Sequence, residues 1–137
     1  MYKKIPLLAE YVISSHLTTH VRPYENKTPV QNKVEGKLRL EHFKNTTHWR
    51  ILLKLLVTGH NTDEVLCFDA ACEMEAILDM EGIDEDERTL ALTQTFPGLL
   101  TGSIRATLSS LSLQSGYGPL ILPPISAAEL PNFLVSE

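Results

Sequence analysis

Between Thr95 and Leu130 a two-sided apolar helix pattern runs into an extended arm fixed by prolines, and this junction restricts the fold more than any other part of the chain. Leu100, Ile104, Leu108 and Leu111 recur at the 3.6-residue period. Leu99, Ala106 and Leu113 form a second apolar line, with only Ser and Thr between the two. One line can face the chain's own core; the other calls for a partner. Gly116 and Gly118 mark the helix stop. Beyond them Pro119-Leu120-Ile121-Leu122-Pro123-Pro124-Ile125 cannot be helical, since Pro123 and Pro124 lack N–H donors and push the residue before each toward extended backbone. The plainer alternative is that helix and arm together close one small core.

Ahead of this stretch the period is two. Tyr11, Ile13, Ser15, Leu17, Thr19 and Val21 alternate against Val12, Ser14, His16, Thr18 and His20, which predicts a first strand. Arg22 to Asn32, with Pro23, Asn26 and Pro29, reads as a loop. Glu35, Lys37, Arg39 and Glu41 then lie on one face of a second strand, with Val34, Leu38 and Leu40 on the other. Asn45-Thr46-Thr47 makes a turn into a third strand, His48 to Thr58, with Trp49, Ile51, Leu53, Leu55 and Val57 on one side. Gly59 to Asp63 is expected to turn the chain again. A fourth strand, Glu64 to Leu78, places Leu66, Phe68, Ala70, Cys72, Met74 and Ala76 on one face. The expectation is a meander of four antiparallel strands with one covered face. Asp84 with Glu87 three residues on has capping-box spacing and opens a short helix to about Gln94.

The length of 137 residues suits a single domain over 1–137. With a net charge of -5 and no block of Lys or Arg, the footprint of a nucleic-acid binder is missing. Cys67 and Cys72 do not have the spacing of a redox or zinc pair and read as buried free thiols. The apolar run at the N-terminus is cut by Pro6 and ended by Glu10, unlike a signal peptide, and no run approaches the ~18 to 20 residues of a membrane span. A reducing cytoplasm is the expected location. No GxSxG, HExxH or phosphate loop is present, so neither an enzyme nor a cofactor is expected. His16 and His20 tempt as metal ligands, but four strand residues span about 13 Å, so a shared metal is not expected.

The junction and arm resemble the SecB family of bacterial protein-export chaperones. The carriers are Pro97-Gly98-Leu99-Leu100, Arg105, Ser110-Leu111, Gly116, Leu120-Ile121-Leu122-Pro123-Pro124-Ile125 and Leu130, and the likeness extends to Met80-Glu81-Gly82 at the end of the fourth strand. It implies an α+β fold: a four-stranded antiparallel sheet followed by C-terminal helices, oligomerising through the long helix as a dimer of dimers. It implies an ATP-independent holdase that keeps non-native polypeptides in apolar grooves. By that analogy Trp49, Phe68, Met74, Tyr117, Leu120 and Leu122 line the client groove, and Leu100, Ile104, Leu108, Leu111 and Leu113 build the homotetramer.

Two roles compete within the family. One is export through the translocation motor SecA. The other is a toxin-antitoxin module, in which the chaperone binds an antitoxin's C-terminal extension. His16, His20 and Phe68 stand where exporting members resemble one another in offering acidic residues to SecA, and this favours the second role. A structural or assembly adaptor binding one folded partner through the same apolar surface is the rival from another class.

Overall fold

Four long runs of alternating side chains become strands in the computed structural model, which describes residues 5–122 and 134–135. They are β1 (Leu7–Thr19), β2 (Val30–His42), β3 (His48–Asn61) and β4 (Leu66–Asp79), with a single 3-10 turn at Pro23–Glu25 between β1 and β2. β2, β3 and β4 are joined by short turns and pair consecutively and antiparallel. β1 does not extend that meander from β2 as the strand order along the chain suggests. The connection 20–29 carries the chain across, so β1 pairs antiparallel with the far edge of β4. A two-residue strand, β5 (Leu134–Val135), adds parallel to β2, giving the order β1-β4-β3-β2-β5.

β3 runs on to Asn61 instead of turning at Gly59. A Cβ on Gly59 would sit 2.3 Å from the Phe68 ring, so this glycine serves a close approach inside the strand. The turn lies just beyond, where Asn61 Oδ1 accepts from the Asp63 and Val65 amides at 2.9 and 3.0 Å. At the other end of the hairpin pair, Asn45 takes a positive φ of 64° in the predicted Asn45-Thr46-Thr47 turn.

The helical part is a continuous run with an irregular middle. Asp84 caps α1 (Glu85–Leu90) by accepting from the Glu87 amide at 2.8 Å, as its spacing predicts. A π-type turn at Ala91–Thr95 leads directly into α2 (Phe96–Ser112). Pro97 has no N–H to offer the preceding turn, and the wider hydrogen-bond spacing falls where that bond is lost. Past α2, Gly116 and Gly118 adopt φ of 83° and 82° and redirect the chain into the arm.

α2 packs on β4, β3 and β1. Leu100, Ile104 and Leu108 are 0 to 2% exposed and join Ile51, Leu53, Leu55, Val57, Cys72, Met74, Ala76 and Leu78 in one core, with Leu120 and Leu122 of the arm. At roughly 1.5 to 3 kcal/mol per buried large aliphatic side chain, this face carries most of the folding drive. It also corrects the interface reading: Leu100, Ile104 and Leu108 are consumed by the chain's own sheet and cannot meet a second copy. Leu111 and Leu113 do remain exposed, as does Leu99. Cys67 and Cys72 are free and fully buried, as their spacing suggested. Among the described residues no helix is long and apolar enough to cross a membrane, and no group of His, Cys, Asp and Glu could hold a metal.

Candidate functional site

An extended arm lying beside a helix alternates its side chains in and out, and here that places Leu120 and Leu122 inward with Ile121 81% exposed. Two polar anchors hold the arm in place. Arg105 donates from Nε and Nη2 to the Leu122 carbonyl at 3.0 and 2.8 Å. Ser112, fully buried, accepts the Leu120 amide at 2.6 Å and donates to the Ser109 carbonyl at 3.0 Å. Between arm and helix lies a groove of about 230 Å³ lined by Gly102, Arg105, Ala106, Ser109, Leu120, Ile121 and Leu122. The small residues at 102, 106 and 109 share a helix face and keep its floor low. Leu99, in the first turn of α2, and Leu113, just past its end, are 65% and 63% exposed. An unusually apolar surface therefore stays open to solvent.

The residues named from sequence as client-binding do not form one site. Phe68 and Met74 are 3% and 5% exposed and belong to the core. Phe68 packs against Tyr117 with ring centroids 5.3 Å apart, and the Tyr117 hydroxyl donates to the Val21 carbonyl, so Tyr117 pins the arm's turn rather than offering a free face. Burial raises the pKa of that phenol above its ordinary value, with Cys67 adding to the effect. Trp49 sits at the opposite end of the sheet, paired with Leu78 and His42. Its ring stacks on His42 at 4.8 Å and carries the Arg88 guanidinium 5.7 Å from its centre. Only Leu120 and Leu122 line the groove, as its floor. The residue sequence reasoning missed is Ile121, and strict alternation along the arm was the signal that could have found it. Pro123 onward in the arm, with Leu130, lies outside the described residues.

A second groove, of about 430 Å³, separates α2 from β1 and is lined by Ser15, Ala106, Thr107, Ser110 and Leu111. β1 is a sheet edge whose Leu7, Leu8, Tyr11, Val12 and Ile13 are each 43 to 49% exposed.

His16 and His20 flank one carboxylate. His16 Nε2 lies 3.1 Å from Asp69 Oδ1, and His20 Nε2 hydrogen-bonds Asp69 Oδ2. An acidic residue thus does stand at this corner. It is Asp69, whereas the neighbouring Phe68 points into the core. The His20 contact, aided by His16, holds the Asp69 carboxyl below its ordinary value of 3.8 despite some burial. A depressed carboxylate stabilises the fold above the unfolded-state value and loses that contribution as pH falls through the lower folded-state value. The stability difference between wild type and Asp69→Asn is therefore expected to be full at pH 5 and to shrink below about pH 4, read from urea midpoints across that range. A difference that grew on acidification would contradict the assignment.

No family model matches the chain. The protein-export protein SecB of Saccharophagus degradans is 29% identical over 80 residues, covering 58% of this chain and 48% of that protein, so the match spans about half the length of this relative. A SecB-like chaperone of Mycobacterium tuberculosis, solved with a ChAD peptide from an antitoxin, superposes with a TM-score of 0.73 at 16% identity, covering 89% of this chain and 91% of the other. A Streptococcus agalactiae protein of unknown function overlaps at a TM-score of only 0.39, with 15% identity. The chain thus has the fold of a SecB-like chaperone and, over 80 residues, a sequence similar to SecB.

Proposed function

We propose that this protein is an ATP-independent holdase, a binding protein and not an enzyme, that takes extended apolar stretches of non-native polypeptides along the α2–arm groove. The observation that carries the reading is apolar surface left open on helix and arm: Leu99, Leu113 and Ile121 are each more than 60% exposed, and Ile121 lines the groove with Leu120 and Leu122. A groove with apolar walls and few fixed polar groups selects by hydrophobicity and not by sequence, which suits a promiscuous client set. The likeness to SecB and to the mycobacterial SecB-like chaperone supports the same reading.

Within it, a specialised role beside an antitoxin is favoured over general export. The support is the pair His16 and His20, which face Asp69 at the corner where export members present acid, and the antitoxin peptide held by the mycobacterial neighbour. Export remains the second reading, supported by the name of the curated relative and by Asp69 itself.

The test is light scattering of two unrelated denatured proteins during refolding. Near-stoichiometric wild type is expected to suppress aggregation of both, and Ile121→Glu to lose at least half of that suppression while keeping its circular dichroism. Suppression of neither client at several-fold molar excess would end the holdase reading. Capture of one folded partner with no effect on either client would establish the adaptor instead.

A further inference from the structure

The sheet face turned away from α2 carries its charges in an unusual register. Across β2, β3 and β4, Lys37 stands directly opposite Lys54, and Lys54 opposite Glu73; one row along, Arg39 stands opposite Leu52. Like charges placed directly across a strand pair oppose pairing. Elsewhere on β2 and β3 the cations are matched: Lys33 with Glu35 at 3.1 Å, Arg39 with Glu41 at 2.8 Å, and Arg50 with Glu41 and Glu75. Among the described residues no carboxylate lies within 4.0 Å of the ammonium of Lys37 or Lys54. Lys37, Arg39, Leu52, Lys54 and Glu73 together line a depression of about 110 Å³. An acidic chain, net charge -5, thus keeps three cations around one leucine where two of them repel each other.

We propose that this depression is a docking site for an acidic segment of a partner polypeptide, with carboxylates of the partner between Lys37 and Lys54 and an apolar side chain on Leu52. A bound carboxylate turns the repulsive pair into a bridged one, so the complementarity exists only in the complex. The chemistry favours an acidic peptide over a nucleic acid. Glu35, Glu41 and Glu73 stand beside the three cations, and the net negative charge repels a long polyphosphate while still admitting two or three carboxylates. The site lies on the face opposite the α2–arm groove and is independent of the holdase reading.

Fluorescence anisotropy of the full chain tests it. The probe is a fluorescein-labelled twelve-residue peptide of four Glu and two Leu spaced by Gly and Ser, against the same peptide with Gln for Glu and a twelve-residue oligothymidylate. The Glu peptide is expected to bind, the Gln peptide at least tenfold more weakly, and added salt to weaken the former. Lys37→Glu and Lys54→Gln are each expected to cut affinity at least tenfold, and Ile121→Glu to leave it unchanged. A readout independent of binding accompanies them: Lys37→Glu faces Lys54 with an opposite charge and is expected to raise Tm by about 1 to 4 °C. Stability gained with binding lost in the same variant is the signature of a surface kept for a partner. Equal binding of the Gln peptide, tighter binding of the oligonucleotide, an affinity unaffected by Lys37→Glu, or loss of binding in Ile121→Glu alone would each overturn the proposal.

Discussion

Leu108→Asp is expected to leave no folded protein at 25 °C, while Leu113→Glu, five residues further along the same chain, leaves the sheet intact. Leu108 is fully buried between α2 and the sheet, and Leu113 is 63% exposed just past the end of α2. Emptying a site like that of Leu108 costs about 2 to 5 kcal/mol even for alanine, and an unpaired carboxylate in the same place costs more. Against a total stability of about 5 to 15 kcal/mol this removes most or all of the fold. Leu113→Glu forfeits only a fraction of that, and its effect falls on association. If the outward side of α2 joins two dimers, a two-fold contact meets the charge twice, and the mutant is expected to run as a dimer where wild type runs as a tetramer. Circular dichroism reads the fold and multi-angle light scattering the mass. A folded Leu108→Asp, or an unfolded Leu113→Glu, would reverse the assignment of the two helix faces.

That contrast shows where the sequence was readable. Periodicity separated the two lines of α2 except at Leu111: Leu100, Ile104 and Leu108 keep a 3.6-residue rhythm and are buried, whereas Leu111, placed on the same line, is 38% exposed. It could not say which line meets a partner, since both are built from leucine and an exposed leucine is chemically identical to a buried one. The resemblance attached both lines to the oligomer, and the structure removes the three residues that the monomer already uses. Strand existence followed from alternation; strand order did not. A loop long enough to cross the sheet leaves no trace of its destination in the side chains it joins. The groove residues failed for a related reason: Phe68 and Met74 are large and apolar, as a client surface would be, but β4 is interior to the sheet and lies beneath α2, so their faces are filled. On the arm, at the surface, the two residues correctly placed in the groove form its floor, and the exposed contact between them went unnamed.

Leu8→Lys combined with Ile13→Lys is expected to lower the association of β1 edges by at least a hundredfold without disturbing the monomer. β1 has thirteen residues and, among the described residues, pairs on one side only, with β4. Long unpaired edges invite another strand unless charge, proline or bulges defend them. β1 has two register shifts, between Leu7 and Ala9 and between Val12 and Ser14, and the residues they skip are Leu8 and Ile13, 49% and 45% exposed. Instead of the lysines that guard a solvent edge, the bulges present aliphatic side chains, beside a groove whose far wall is the α2 flank of Ala106, Ser110 and Leu111. An edge so furnished is built to be covered, and a second copy related by a two-fold brings the matching strand antiparallel with its own Leu8 and Ile13. Four such side chains, already about half buried, supply a gross gain of about 3 to 6 kcal/mol, which together with the strand hydrogen bonds is set against the freedom two subunits lose on joining. Placing four ammonium groups there removes that gain and adds repulsion. Sedimentation or light scattering at tens of micromolar should therefore show a smaller mass for the double variant than for wild type, with unchanged circular dichroism because both positions are already half in water. A wild-type monomer at the same concentration would refute the edge as an interface. An unchanged mass in the double variant would locate all association on α2 and the arm instead.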